Sequence, residues 1–163
     1  MAVWFEGHIE IACTIERVTQ SLADHGAHYA GIVRLMPGLT DVELHEAGDT
    51  ELTITTNEGV MKRTNIVTRV SEDGVTVEFD EDYRAGAVAR VTSHFLEEFT
   101  TSDAGVSHWL VISDLSAPGF AGLLYRMLAK SRTGNAFLSR HKEYLEAESD
   151  YALLGAPPVS EEP

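Results

Sequence analysis

From Leu39 to Ser116 the chain repeats one pattern: an alternating apolar/polar stretch, a short turn signal, and another alternating stretch. "LTDVELHEAG" and "TELTITTNEG" alternate, with Gly48-Asp49 and Glu58-Gly59 as turns. "VMKRTNIVTRVSEDG" and "VTVEFDEDY" are joined through Glu72-Asp73-Gly74, where Asp-Gly favours a tight hairpin. "RAGAVA" interrupts the pattern before "RVTSHFLEEFTTSDAG" and "VSHWLVISDLS" form one more long hairpin. Consecutive hairpins pair neighbours antiparallel, so this run predicts an antiparallel sheet.

The flanks complete the pattern. Val3 to Cys13 reads as a strand, with Phe5, Ile9, Ile11 and Cys13 on one parity and Glu6, His8 and Glu10 on the other. Thr14 offers an N-cap hydroxyl, and Ile15, Val18 and Leu22 make the stripe of a short helix. Arg17, at the third helical position, departs from a capping box. Asp24 to Gly31 reads as a second short helix or an irregular turn broken by Gly26 and Gly31, and "MPGLTD" is a turn. After "SAPG" a helical signal starts at Ser116 or Pro118 and persists for about thirty residues. Phe120, Leu124, Met127, Leu138, His141 and Leu145 lie along one face, with Gly134-Asn135 as a place for a kink. The expectation is an α+β fold in the order β-α-α-β6-α. A curved antiparallel sheet of six to seven strands wraps around a long C-terminal helix. Such a sheet cannot close tightly along the whole helix, so a cavity between them is the expected by-product.

At "IEIACTIERV", Ile9 to Val18, the sequence resembles the opening of the START-like (SRPBCC) superfamily of polyketide cyclases/dehydrases, pathogenesis-related and Bet v 1-like proteins. That opening is an alternating strand, Ala-x-Pro and a short helix; here Thr14 stands where the proline is usual. The final stretch "GFAGLLYRMLAKSRTGNAFLSRHKEYLEAES" also resembles the family's last helix, so the resemblance covers roughly residues 3–150. It implies a helix-grip fold, with residues 1–152 as one START-like ligand-binding domain. The acidic, Pro-rich tail 153–163 is expected to be disordered. Polar cavity residues differ among subfamilies, so the resemblance carries over no catalytic set.

Charge narrows the partners. There are 26 acidic against 12 basic residues, a net of −14, which disfavours nucleic-acid binding. A single cysteine, Cys13, excludes an intramolecular disulfide. "MAVWFEGHIE" lacks the pattern of a signal peptide, and no apolar run approaches the roughly 20 residues that cross a bilayer, so a cytoplasmic location without integral membrane association is expected. The acids thin out in one place: none occurs between Asp114 and Glu143, where Arg126, Lys130, Arg132, Arg140 and Lys142 do. That basic stretch is read either as a face paired with the acidic sheet rim or as an element that steers an anionic ligand or a membrane surface toward the pocket entrance.

No phosphate loop, Rossmann glycine pattern, His-Glu-x-x-His or nucleophile elbow is present. Of seven histidines only His25 and His28 have helical ligand spacing, with Asp24 as the one nearby carboxylate, so neither a metal nor a cofactor is expected. His94 and His108 lie on the last two strands and His141 on the long helix. His94 alternates with Leu96, and His108 with Val106 and Leu110, so both can point inward; the alternative turns Phe95, Phe99, Trp109 and Val111 inward. Arg63, Arg69 and Arg90 are strand cations suited to a carboxylate or phenolate, or to cross-strand ion pairs. Tyr29, Tyr83 and Tyr125 can supply hydroxyls at a pocket mouth, and Phe137 with His141 forms an i,i+4 pair on the helix. The candidate ligand-binding set is therefore Tyr29, Arg63, Tyr83, His94, His108, Tyr125, Phe137 and His141.

Three functional readings follow. The first is binding of a small hydrophobic or aromatic ligand, lipid or polyketide-like, with an anionic group as one option. The second is an aromatase/cyclase-type enzyme using Arg63 or Arg69 with His94 or Tyr83. The third is a co-chaperone-like interaction module, which calls for a filled interior and an apolar outer patch. Sequence leaves turnover and oligomeric state open.

Overall fold

The structure, a computed structural model, describes residues 1–87, 89–119, 122 and 129–154, with side chains as far as residue 147. The elements are β1 (Val3–Ile11), α1 (Ile15–Leu22), α2 (His25–Leu35), β2 (Glu43–His45), β3 (Leu52–Thr55), β4 (Gly59–Val70), β5 (Gly74–Ala85), β6 (Ala89–Ser102), β7 (Gly105–Ser116) and α3 (Lys130–Leu154). All seven strands pair antiparallel in one sheet of order β1-β7-β6-β5-β4-β3-β2. With α3 lying against it, this is the helix-grip arrangement expected from the element order. Among the described residues no helix is long and apolar enough to cross a membrane.

Local chemistry sets the helix starts. The Thr14 hydroxyl accepts from the Arg17 amide at 3.2 Å, and the Asp24 carboxylate accepts from the Ala27 amide at 3.0 Å. Each cap is worth about 1 kcal/mol. Gly26 and Gly31 do not break the second helix: α2 runs unbroken to Leu35. Gly31 is where the Tyr144 ring of α3 packs, so the missing side chain lets two helices approach.

The sheet presents an apolar inner face. Val75, Val77 and Phe79 of β5, Phe95 and Phe99 of β6, and Val106, Leu110 and Ile112 of β7 are all buried. The β6–β7 hairpin closes through Asp103-Ala104, with Ser102 opposite Gly105. That register sets Phe99 opposite His108 and His94 opposite Ser113. Directly opposed residues share a face, so His108 points inward with Phe99, and His94 points outward. The expectation that both histidines face inward is therefore corrected for His94. Three irregularities bend the sheet: one in β4 around Asn65 (φ 55°), one in the β6–β7 ladder, where Asp114 has φ 52°, and one in the β1–β7 ladder between Val3 and Phe5.

On α3, Leu138, His141 and Leu145 are buried, as their spacing predicts. Phe120, Leu124 and Met127 lie outside the described residues. β7 extends through Ser116, so that residue ends a strand and does not start the helix. Gly134 causes no break in α3. Its role is close approach: a Cβ there would collide with the ring of buried Phe5, which is already flanked by Gly7.

Gly134→Ala should therefore destabilise the fold. Alanine gains about 1 kcal/mol of helix propensity, but forcing the ring aside costs about 1–3 kcal/mol. A net loss of up to about 2 kcal/mol is expected in urea unfolding.

On the outer face His94 contacts Asp80 at 2.8 Å and Glu78 at 3.0 Å. Partial burial pulls its pKa down, but the bonds to the two carboxylates outweigh burial and leave it raised. The stability this adds is fully present below the unfolded value of about 6.5 and is lost as pH rises through the folded value. Comparing His94→Gln with the parent by urea unfolding across pH should show a difference of about 1 kcal/mol or less at pH 5.5 that shrinks by pH 8.5.

Candidate functional site

Between α2 with its following loop, the β4–β5 end of the sheet and the first turns of α3 lies a cavity of about 410 Å³. Ile32, Val33, Met36 and Leu39 form one wall, Met61, Phe95 and Ile112 the sheet side, and Ala136 and Phe137 the helix side. The polar groups are few: Arg63, Glu81, Tyr83, Glu58 and Arg132. A largely apolar concavity of this size with a handful of convergent polar groups suits a small organic molecule.

Arg63 is the unusual member. It is only 2% exposed, although Lys62 and Thr64 beside it face the other side of the sheet. Its Nε donates to Glu81 at 2.8 Å across the β4–β5 pair. Its guanidinium lies 4.4 Å from the Tyr29 ring centroid and 4.5 Å from that of Phe79, which replaces part of its lost hydration with cation–π attraction. Nη1 is buried and has no hydrogen-bond partner among the described residues. Arg63 is among the residues that line the cavity, while Nη1 itself is enclosed by protein.

Behind Phe137 sits a second polar group, fully enclosed. Glu97 of β6, His108 of β7 and His141 of α3 are each 0% exposed. Glu97 Oε1 accepts from the Tyr29 hydroxyl at 2.8 Å, and Oε2 lies 2.8 Å from His108 Nε2 and 3.2 Å from His141 Nε2. Burial alone would push the Glu97 carboxyl up, but His141 and His108 outweigh it and hold it well below the usual range. Burial drives His108 down to about 4 and His28 well below its ordinary value. Tyr29 is raised well above its ordinary value, first by burial and then by the Glu97 charge. At neutral pH the cluster thus centres on one carboxylate. Glu97, His108 and His141 also bring three ligand atoms within 4.8 Å of one another, the one such group of buried residues found among those described.

Of the sequence-derived set, Arg63, Tyr83 and Phe137 line the cavity. Tyr83 donates to Glu58 at 3.2 Å. Tyr29, His108 and His141 meet instead in the enclosed cluster, so Tyr29 is no mouth hydroxyl. His94 sits on the outer face, and Tyr125 lies outside the described residues. Arg69 and Arg90 are exposed and paired with Glu78 and Asp82. Of the acid/base partners considered for cyclase chemistry, only Arg63 and Tyr83 share the cavity. On the basic stretch, Arg140 pairs with Glu143 and Lys142 with Glu146, both on the same helix and not on the sheet rim; Arg126 is outside the described residues. His25 and His28 form no ligand set: His28 turns inward and bonds Ser21 at 2.8 Å.

Sequence reasoning missed Glu97 and Glu81. For Glu97 the signal was present. In "FLEEF" it shares parity with Phe95 and Phe99, so when both phenylalanines face inward a carboxylate must come with them.

Glu97→Gln should cost about 3–5 kcal/mol by denaturant unfolding, because it removes the buried negative charge its imidazole partners face. The adjacent Glu98→Gln, on the opposite face, should change stability by less than about 0.5 kcal/mol.

No protein-family model and no curated protein matches the sequence. Solved structures match it over most of its length. A conserved protein from Geobacillus kaustophilus superposes with a TM-score of 0.64 at 15% identity, covering 90% of this chain and 95% of that one. A STAR-related lipid transfer protein fragment from Xanthomonas axonopodis gives 0.56 at 16% identity, covering 86% and 84%. A protein from Chromobacterium violaceum gives 0.60 at 10% identity, covering 88% and 94%. At such identities the likeness is one of architecture: this chain has a helix-grip fold.

Proposed function

We propose that the protein binds a small apolar or aromatic molecule in the 410 Å³ cavity and engages an anionic or acceptor group on it through Arg63. The observation that carries this is the buried Arg63 Nη1, which lacks a partner where the cavity wall is otherwise mostly apolar. Affinity comes from burying ligand surface, at about 25 cal/mol per Å² before association costs. Orientation comes from the guanidinium, whose Glu81 partner occupies only Nε. The shared fold of a STAR-related lipid transfer protein supports a hydrophobic ligand. A cavity this large is at odds with the filled interior an interaction module calls for.

Two fluorescent probes separate the parts of this reading: anionic anilinonaphthalene sulfonate and uncharged phenylnaphthylamine. Both should bind the parent protein, and Ala136→Trp, which fills the cavity, should weaken both. Replacing Arg63 and Glu81 together by glutamine avoids stranding one buried charge. That double variant should lose about tenfold or more in affinity for the anion and less than about threefold for the neutral probe. Binding of either probe unaffected by Ala136→Trp would overturn the assignment of the cavity. Native mass spectrometry with organic extraction of the purified protein then identifies the class of natural ligand.

A further inference from the structure

Glu97, His108 and His141 come from three different elements, and their meeting point poses a problem of lone pairs. His141 Nδ1 lies 3.0 Å from the carbonyl of Phe137, one helical turn back. A carbonyl only accepts, so Nδ1 carries the proton, and in the neutral ring Nε2 presents a lone pair. That lone pair faces Glu97 Oε2 at 3.2 Å, itself an acceptor, and Nε2 has no hydrogen-bond partner. Two acceptors do not sit at that distance without a positive charge between them. The charge is either a proton on His141 or a metal ion.

We propose that Glu97 Oε2, His108 Nε2 and His141 Nε2 form a binding site for a zinc-type divalent ion. The chemistry of the donor set fits: two imidazoles and a carboxylate are a common zinc combination. The geometry fits as well. Ligand atoms bound at about 2.0–2.1 Å in a tetrahedral site lie about 3.3 Å apart, and the two nitrogens here stand 2.8 Å and 3.2 Å from the carboxylate oxygen. All three ligand atoms lie within 4.8 Å of one another. Its supporting contacts have the form metal sites use: a backbone carbonyl fixes the tautomer of His141, and the Tyr29 hydroxyl holds the second oxygen of Glu97 at 2.8 Å. The ion would tie α3 to two adjacent strands at the centre of the sheet. A water, or the second Glu97 oxygen, completes the coordination. The His25/His28 spacing that sequence inspection singles out plays no part in it.

Because all three ligands are 0% exposed, an ion enters during folding or through a local opening. The test therefore unfolds the full chain in guanidinium with chelator and refolds it with Zn²⁺ or Co²⁺, so that access cannot mask binding. The expected result is one ion per chain after desalting, counted by native mass spectrometry. Co²⁺ should give the intense visible bands of a tetrahedral site, and the unfolding midpoint should rise by about 5 °C or more. His141→Gln and His108→Gln should each abolish the Co²⁺ bands, whereas His8→Ala and His45→Ala, altering exposed histidines, should leave them intact. A chain that refolds to the same midpoint with and without the ions and retains none overturns the proposal. So does weak octahedral Co²⁺ absorption, or binding lost in the surface variants. The wild-type Co²⁺ spectrum and stoichiometry decide the matter even if the cluster variants fail to fold.

Discussion

A carboxylate taken wholly out of water costs several kcal/mol unless donors or cations replace its hydration, and Glu97 meets that requirement with partners from three directions. Tyr29 reaches it from α2, His108 from the neighbouring strand and His141 from α3. None of these contacts survives a shift of one helical turn or a slip of one strand residue. Apolar packing against the sheet tolerates several helix positions at similar energy, whereas a buried charge tolerates one. The cluster thus explains why α2 and α3 sit where they do, although the apolar contacts around it supply most of the burial.

Phe137 is the partition between this cluster and the cavity. Its carbonyl contacts His141 on one side, while its ring lines the cavity, 5.5 Å from the Phe95 ring and 5.8 Å from the Arg63 guanidinium. Arg63 in turn lies over the Tyr29 ring, whose hydroxyl donates to Glu97. Two buried charged groups, Arg63 with Glu81 and Glu97 with its imidazoles, are therefore joined through one aromatic side chain. In the low-dielectric interior such neighbours feel one another's charge more strongly than surface pairs do.

The order of elements along the chain and the presence of the final helix were legible in the sequence because both rest on local signals: period-two alternation, Asp-Gly turns, an N-cap threonine and a 3.6-residue stripe. The site was less legible because it depends on register. A two-residue turn at Asp103-Ala104 pairs residue 99 with 108 and 94 with 113, which forces His94 and His108 onto opposite faces of the sheet. A reading that lets each strand choose its parity alone can place both histidines inward. Coupling them through the turn cannot. Glu97 follows from the same step, since the parity that buries Phe95 and Phe99 buries it as well. Arg63 was visible as a strand cation, but its burial was not. It depends on stacking with Tyr29 and Phe79, which are 34 and 16 residues away in the chain.

The same geometry separates two roles that a shared apolar interior could have merged. The ligating side chains of the enclosed cluster, Glu97, His108 and His141, are 0% exposed, so its chemistry is directed at holding the fold. Arg63 is in the opposite situation: it belongs to the cavity lining, its guanidinium is desolvated and placed by Glu81 and two aromatic rings, and its Nη1 has no partner among the described residues. A group already stripped of water and fixed in one rotamer loses little more on binding. For an incoming acceptor most of the cost has been met in folding, and that cost was tolerable because the Glu97 cluster anchors Tyr29, the surface on which the guanidinium rests.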